Sequence, residues 1–295
     1  MATINTNMSA NIATNAMTRN ERIMGSTMER LSTGVRINSA KDDAAGLAIS
    51  SKMTSQIRGL NQAVRNANDA ISMIQVAEGA MKGMSDMLQR MRELAVQSIS
   101  DSNTANDRTA LDSEFEQLKA EIERIADNTQ WNGTNLLDGT MGSATFQVGA
   151  NAGQTIAVTF KDFENDTANV ASASNRVFTG DKINSGGSAG TNDLTDLDIG
   201  TSTNAATALS ALAGAIDSVN SERAGLGASM SRLEYASDNL TNVAQNTGAA
   251  RSRILDADYA AETTELARTQ IIQQAATAML AQANQSQQQV LALLR

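Results

Sequence analysis

Cysteine, histidine and proline are all absent from this 295-residue sequence, and each absence closes off a chemistry. Without cysteine there is no disulfide and no thiolate ligand; without histidine no imidazole can hold a metal or activate a nucleophile. Without proline nothing locks φ or deletes a backbone donor inside a helix, so long helices can run uninterrupted. Aromatic residues make up only 3% against 41% hydrophobic residues, so a core must be built from Ala, Leu, Ile, Val and the 14 Met. Such side chains suit close-packed helices better than the walls of a substrate pocket. A formal net charge of −9 opposes a nucleic-acid phosphate backbone as partner. No apolar run approaches the roughly 20 residues that cross a bilayer, so no membrane insertion is expected. The opening Met1-Ala2-Thr3-Ile4-Asn5-Thr6-Asn7 lacks the basic flank and apolar stretch of a cleaved secretory signal, and export would need another address. No Gly-rich phosphate loop with its Lys is present, and the carboxylates of Asn192–Asp198 lack the spacing and Gly of a calcium loop. No catalytic, cofactor or metal site is expected.

What the chain has is helical periodicity at both ends and little in the middle. Residues 1–130 and 205–295 are rich in Ala, Gln, Met, Leu and charge. Residues 131–204 are rich in Gly, Thr, Ser, Asn and Asp, with an acidic excess that suits a solvated face. In the first flank Leu60, Val64, Ala67, Ile71 and Ile74 follow the 4-3-4-3 spacing of a helix seam. A second stripe, Ala77, Ala80, Met84, Met87, Met91 and Leu94, is offset onto another face, which implies more than one helical neighbour. Leu111, Phe115, Leu118, Ile122 and Ile125 make a third. In the return flank Leu212, Ile216, Val219, Leu226, Met230, Leu233, Leu240, Ala244 and Ile254 keep one register, interrupted by Arg223, Ser237, Thr247 and Arg251. Ordinary core stripes and a segmented antiparallel coiled coil both require helices here, and the sustained 3.5 period favours the coiled coil. In the middle, Asn132-Gly133 marks a tight turn. Phe146–Val148 and Ile156–Phe160, around a Gly- and Asn-bearing connection, predict a β-hairpin, and Gly186–Gly190 a loop. The fold class expected is mainly α: a helical bundle from the N- and C-terminal regions with a small β-hairpin region between them.

Each terminus is amphipathic. Ile4, Met8, Ile12, Ala16, Ile23, Met28, Leu31 and Val35 mark the first, and Leu266, Ile272, Ala276, Met279, Ala283, Val290 and Leu294 the last. The apolar burial available to either end is small against the entropy of ordering its backbone. These ends are therefore expected to fray in a free subunit and to fold when other copies cover them. Polar joints near Asn38–Asp43 and Asp256–Asp258 separate them from the seamed region, with Ser39 and Asp42 spaced as a capping pair and Asp43 placed to favour the next helix.

The stretch Glu29–Gly46 (ERLSTGVRINSAKDDAAG) resembles the most characteristic segment of bacterial flagellins. Arg65–Ser72, Gln89–Ser98, Gln130–Gly133, Arg251–Ala260 and the Leu-Leu-Arg terminus extend the likeness in order over most of 1–139 and 210–295. The resemblance implies a structural subunit that self-assembles into the helical filament of the bacterial flagellum for swimming motility, a secreted, extracellular homopolymer. It implies an inner domain of residues 1–43 and 256–295, and a bundle domain of 44–255 whose variable part is 140–204. It further implies export in an unfolded state by the flagellar type III apparatus, a dedicated chaperone on the C-terminal helix, and contact with cap and hook-associated proteins. The assembly helices would present Ile4, Met8, Ile12, Met28, Leu31, Ile272, Met279, Val290 and Leu294. A patch of Gln89, Arg90, Arg92, Glu93 and Leu94 with Glu114 is implied to pack between protofilaments and to bind the flagellin-sensing Toll-like receptor of vertebrates. Met91 stands where Val is common in that patch. Bare exposed charge pairs would account for the same residues. A hook–filament junction protein, which shares the terminal helices and the export route, is the alternative reading.

Overall fold

The computed structural model of the chain describes residues 7–163, 177 and 197–292. The expected loop at Gly186–Gly190 lies outside them, as do Ile4 and Leu294 and the side chain of Val290. Five helices dominate: α1 (Met8–Thr33), α2 (Ala44–Ile99), α3 (Ala105–Asn128), α4 (Ser202–Leu255) and α5 (Tyr259–Ala292). Between α3 and α4 lie two antiparallel hairpins, β1 (Gln130–Trp131) with β2 (Thr134–Asn135) and β3 (Ser143–Gln147) with β4 (Thr155–Thr159).

Side chains set where every helix begins. The Asn7 side-chain Oδ1 accepts from Ala10 N–H at 3.0 Å, the Asp43 carboxylate from Gly46 N–H at 2.9 Å and Thr201 Oγ1 from Asn204 N–H at 3.2 Å. Asp258 accepts from Ala260 at 3.0 Å, and Thr104 and Asp107 form a reciprocal capping box at the start of α3. Each satisfies backbone donors that a helix leaves free at its first turn. α1 ends on Gly34, whose φ of 71° is the left-handed conformation glycine adopts without a Cβ penalty. Ser39 and Asp42 are indeed bonded, Ser39 N–H to the Asp42 carboxylate at 2.9 Å, but the cap of α2 itself is Asp43.

The backbone groups into two compact units, Met1–Arg58 with Ala244–Arg295, and Gly59–Val243. The hydrophobic core belongs to the second. Ala70, Met73, Ile74, Ala77, Met81, Met84, Leu88, Met91 and Leu94 of α2 bury a broad face against Phe115 and Ile122 of α3 and Leu212, Val219, Leu226 and Leu233 of α4. Several of these fall between the two stripes seen in the sequence, so the face is continuous and wide enough for several neighbours. Arg223, an interruption of the α4 seam, ion-pairs with Glu78 of α2 at 3.5 Å. The β3–β4 hairpin closes the core with Val158, followed by Phe160 and Phe163. Asn132 and Gly133, at φ 49° and 81°, form the two-residue turn joining β1 to β2.

In the first unit, α1 and α5 run antiparallel along one another as continuous helices. The joints at 34–43 and 256–258 are clipped together by backbone: Arg36 N–H donates to Leu255 O, and Ala257 N–H to Gly34 O at 3.0 Å. Arg251, another interruption, reaches Thr54 Oγ1 at 3.3 Å.

Candidate assembly surfaces

The α1–α5 seam takes in only some of the residues that looked apolar in the sequence, among them Leu31, Leu266, Ala276 and Ala283. Buried and half-buried positions recur at Ala10, Ala13, Met17, Asn20, Met24, Thr27 and Leu31, a strict heptad, and at Glu262, Leu266, Thr269, Gln273, Ala276, Leu280 and Ala283 on α5. Only Asn20, Thr27, Thr269 and Ala276 are fully buried, so small and polar groups fill the centre. Register is pinned by hydrogen bonds: Asn7 Nδ2 to Ala283 O at 3.2 Å, Asn20 Nδ2 to Thr269 O at 2.8 Å and to Gln273 Oε1 at 3.2 Å, and Arg30 to Glu262 at 3.2 Å. A single polar residue at a seam position specifies alignment at some cost in stability.

Several large apolar side chains are left outside the seam. Met8 is 61% exposed, Ile12 65%, Met279 61%, and Ile23 and Ile272 are exposed as well. Met8, Ile12, Ala16 and Ile23 share one face of α1, each four or seven residues from the last. Ile12, Ala13 and Ala16 meet Met279, Gln282 and Ala283 in one open groove, and Asn15, Ala16, Arg19 and Ile23 meet Ile272 in the next. The result is an apolar strip along one side of the helix pair. Two sequence expectations need correcting. Leu31 is half-buried at the end of the α1–α5 heptad, and Met28, though exposed, lies off the strip on the opposite side of α1.

The second surface lies on α2 and α3. Arg90 bridges two carboxylates, Glu114 of α3 at 2.9 Å and Glu93 at 3.1 Å. Its hydrogen bond to Glu114, then that to Glu93, raise the guanidinium above its ordinary pKa and keep it charged. Gln89, Arg92 and Glu93 line a shallow hollow with Val96 and Gln97, so five of the six patch residues are exposed together. Leu94 is not among them. At 1% exposure it points into the core beneath the patch, as its place in the α2 stripe requires. Val96 is the apolar group that does face solvent here. Among the described residues no cluster of His, Cys, Asp or Glu could hold a metal, and no helix is long and apolar enough to cross a membrane.

The model of the bacterial flagellin N-terminal helical region matches residues 4–141, and that of the bacterial flagellin C-terminal helical region matches residues 209–294. The chain belongs to the flagellin family. A flagellin of Halalkalibacterium halodurans is 48% identical over 91% of this chain and 90% of its own length. Flagellin B of Vibrio cholerae is 37% identical over 99% of both chains. A solved structure described as a flagellar hook-associated protein of Vibrio parahaemolyticus shares the fold, with a TM-score of 0.58 over 73% of this chain and 100% of its own, at 15% identity. The two flagellin models take in both assembly surfaces, the strip on α1 and α5 and the Arg90 patch. The β3–β4 hairpin falls in the unmatched interval between them.

Proposed function

We propose that this flagellin is the repeating subunit of an extracellular helical filament, held to its neighbours chiefly through the terminal helices. The observation that carries the reading is the strip of Met8, Ile12, Ile23, Ile272 and Met279, left exposed while the fully buried positions of the intramolecular seam are small or polar. Large apolar side chains gain about 1.5–3 kcal/mol each on burial, and here only another molecule supplies the cover. If the strip of each copy meets a different face of the next, the contact is head-to-tail, and a rotation that does not close gives an open helix. Residues 1–43 and 256–295 form the inner domain, and 44–255 the outer bundle with 140–204 as its variable part.

A helix pair with so little buried apolar area is easily opened. That suits transit in unfolded form through the flagellar type III apparatus, with a chaperone covering α5 until delivery. Cap and hook-associated proteins would meet the same strip at the ends of the polymer. The exposed Gln89–Arg90–Arg92–Glu93 surface with Glu114 packs between protofilaments, and in a vertebrate host offers the flagellin-sensing Toll-like receptor a charged docking patch.

The test is seeded growth. Purified protein mixed with short sheared fragments should extend them into long filaments under the electron microscope, and Ile12→Glu should abolish extension while the bundle remains helical by circular dichroism. A chain that adds only a terminal ring is a junction protein, and one that extends normally with Ile12→Glu does not assemble through this strip.

A further inference from the structure

Methionine is the only sulfur-bearing residue type in the chain, and its copies are sorted by exposure. Met81, Met84 and Met91 are fully buried and Met73 nearly so, all in α2. Among the described residues the exposed methionines are Met8, Met28 and Met279, all on α1 or α5. Two of these, Met8 and Met279, stand on the apolar strip, and Met279 shares a groove with Ile12. We propose that Met8 and Met279 are oxidation sites through which a peroxide blocks assembly of the free subunit, and that burial in the polymer protects them. The inference rests on the strip being the subunit contact.

The chemistry balances. The thioether sulfur attacks one oxygen of hydrogen peroxide, an S–O bond forms as the O–O bond breaks, sulfur loses two electrons and the other oxygen leaves as water. A flexible apolar side chain becomes a polar sulfoxide. Buried against another subunit, its oxygen gives up its water, a cost that the apolar thioether does not carry. Without cysteine no thiol competes for the oxidant, so attack is ranked by exposure alone. Met28 provides an internal comparison: it is as open to the oxidant but does not lie on the strip.

The experiment treats dilute subunit with hydrogen peroxide until peptide masses show Met8, Met28 and Met279 converted, and then measures the critical concentration for seeded growth. The treated wild type should need about tenfold more protein. Met8→Leu/Met279→Leu should show the same critical concentration treated as untreated, whatever its own baseline, although Met28 is converted. In preformed filaments Met8 and Met279 should convert at least tenfold more slowly than in the subunit. Unchanged growth of verified sulfoxide protein overturns the proposal, as does equal loss in the double variant or conversion of Met81 and Met84 as fast as Met8. If Ile12→Glu blocks growth but the sulfoxides do not, the oxidation proposal alone fails. If neither blocks it, the assembly strip itself is wrong.

Discussion

Asn20 on α1 donates from Nδ2 to the carbonyl oxygen of Thr269 on α5 at 2.8 Å, and both residues are buried. An amide at the centre of a helix seam, where a leucine would hold more tightly, keeps the pair aligned and weak at once. Asn20→Ala removes this bond and that to Gln273, and should cost the pair about 1–2 kcal/mol. The measurement is the opening free energy of α1 amides by hydrogen exchange; equal protection in the variant would show that the bond contributes nothing.

Gly46 sits one turn into α2 with no room for a Cβ, which would lie 2.5 Å from the Asp43 carboxylate and 2.6 Å from Cδ1 of Ile37. Gly46→Ala must displace either the helix cap or the buried Ile37, and should destabilise by about 1–3 kcal/mol. Gly25, inside α1, has nothing within 4 Å of such a Cβ. Gly25→Ala should therefore stabilise α1 by about 0.5–1 kcal/mol. Urea titrations of the two variants should move in opposite directions.

Acid and base act on different groups. Hydrogen bonds from the Thr104 hydroxyl and N–H hold the Asp107 carboxyl below its usual range, and those from the Ser39 N–H and hydroxyl do the same for Asp42. A folded pKa below the unfolded one gives stability that is complete above the unfolded value and lost as pH falls through the folded value. Glu222 is the reverse: burial raises its carboxyl, and the attraction of Lys161 offsets only part of this. Its contribution is full below the unfolded value, near 4.3, and is lost as pH rises through the raised one. Asp107→Asn should lower the melting temperature at pH 7 and converge with wild type in strong acid. Glu222→Gln should raise it at pH 7 and make no difference below about pH 4. Parallel shifts at all pH values would contradict both assignments.

Arg90 and its two carboxylates are exposed, and exposed pairs contribute under about 1 kcal/mol to folding. Arg90→Ala should leave thermal unfolding of the subunit nearly unchanged while weakening lateral packing, seen as shorter or more fragile filaments. A large loss of subunit stability would instead make Arg90 a structural residue.

The bundle was legible because its signal is hydrophobic periodicity, which α2, α3 and α4 satisfy with ordinary core side chains such as Leu212, Phe115 and Met84. The β3–β4 hairpin was legible from the apolar runs either side of a Gly- and Asn-bearing connection, while Asn132-Gly133 read only as a turn and the short strands it joins were not seen. The α1–α5 seam was not, because its heptad runs through Asn20, Thr27, Thr269 and Gln273, which a search for apolar spacing passes over. That search found instead the louder stripe of Met8, Ile12 and Ile23, which lies beside the seam on one side of the helix pair. Leu94 belongs both to the patch that the resemblance implies and to the α2 stripe, and the structure places it at 1% exposure in the core beneath the exposed patch residues.

The account stands on helices that are weakly held within one molecule and firmly held between molecules. Amide hydrogen exchange of α1 and α5, compared in dilute subunit and in filaments, tests this most directly. In the subunit these amides should exchange orders of magnitude faster than those of α2 between Ala70 and Leu94, and in the filament they should become as protected as that core. Slow exchange of α1 and α5 in the dilute subunit, unchanged on polymerisation, would contradict it.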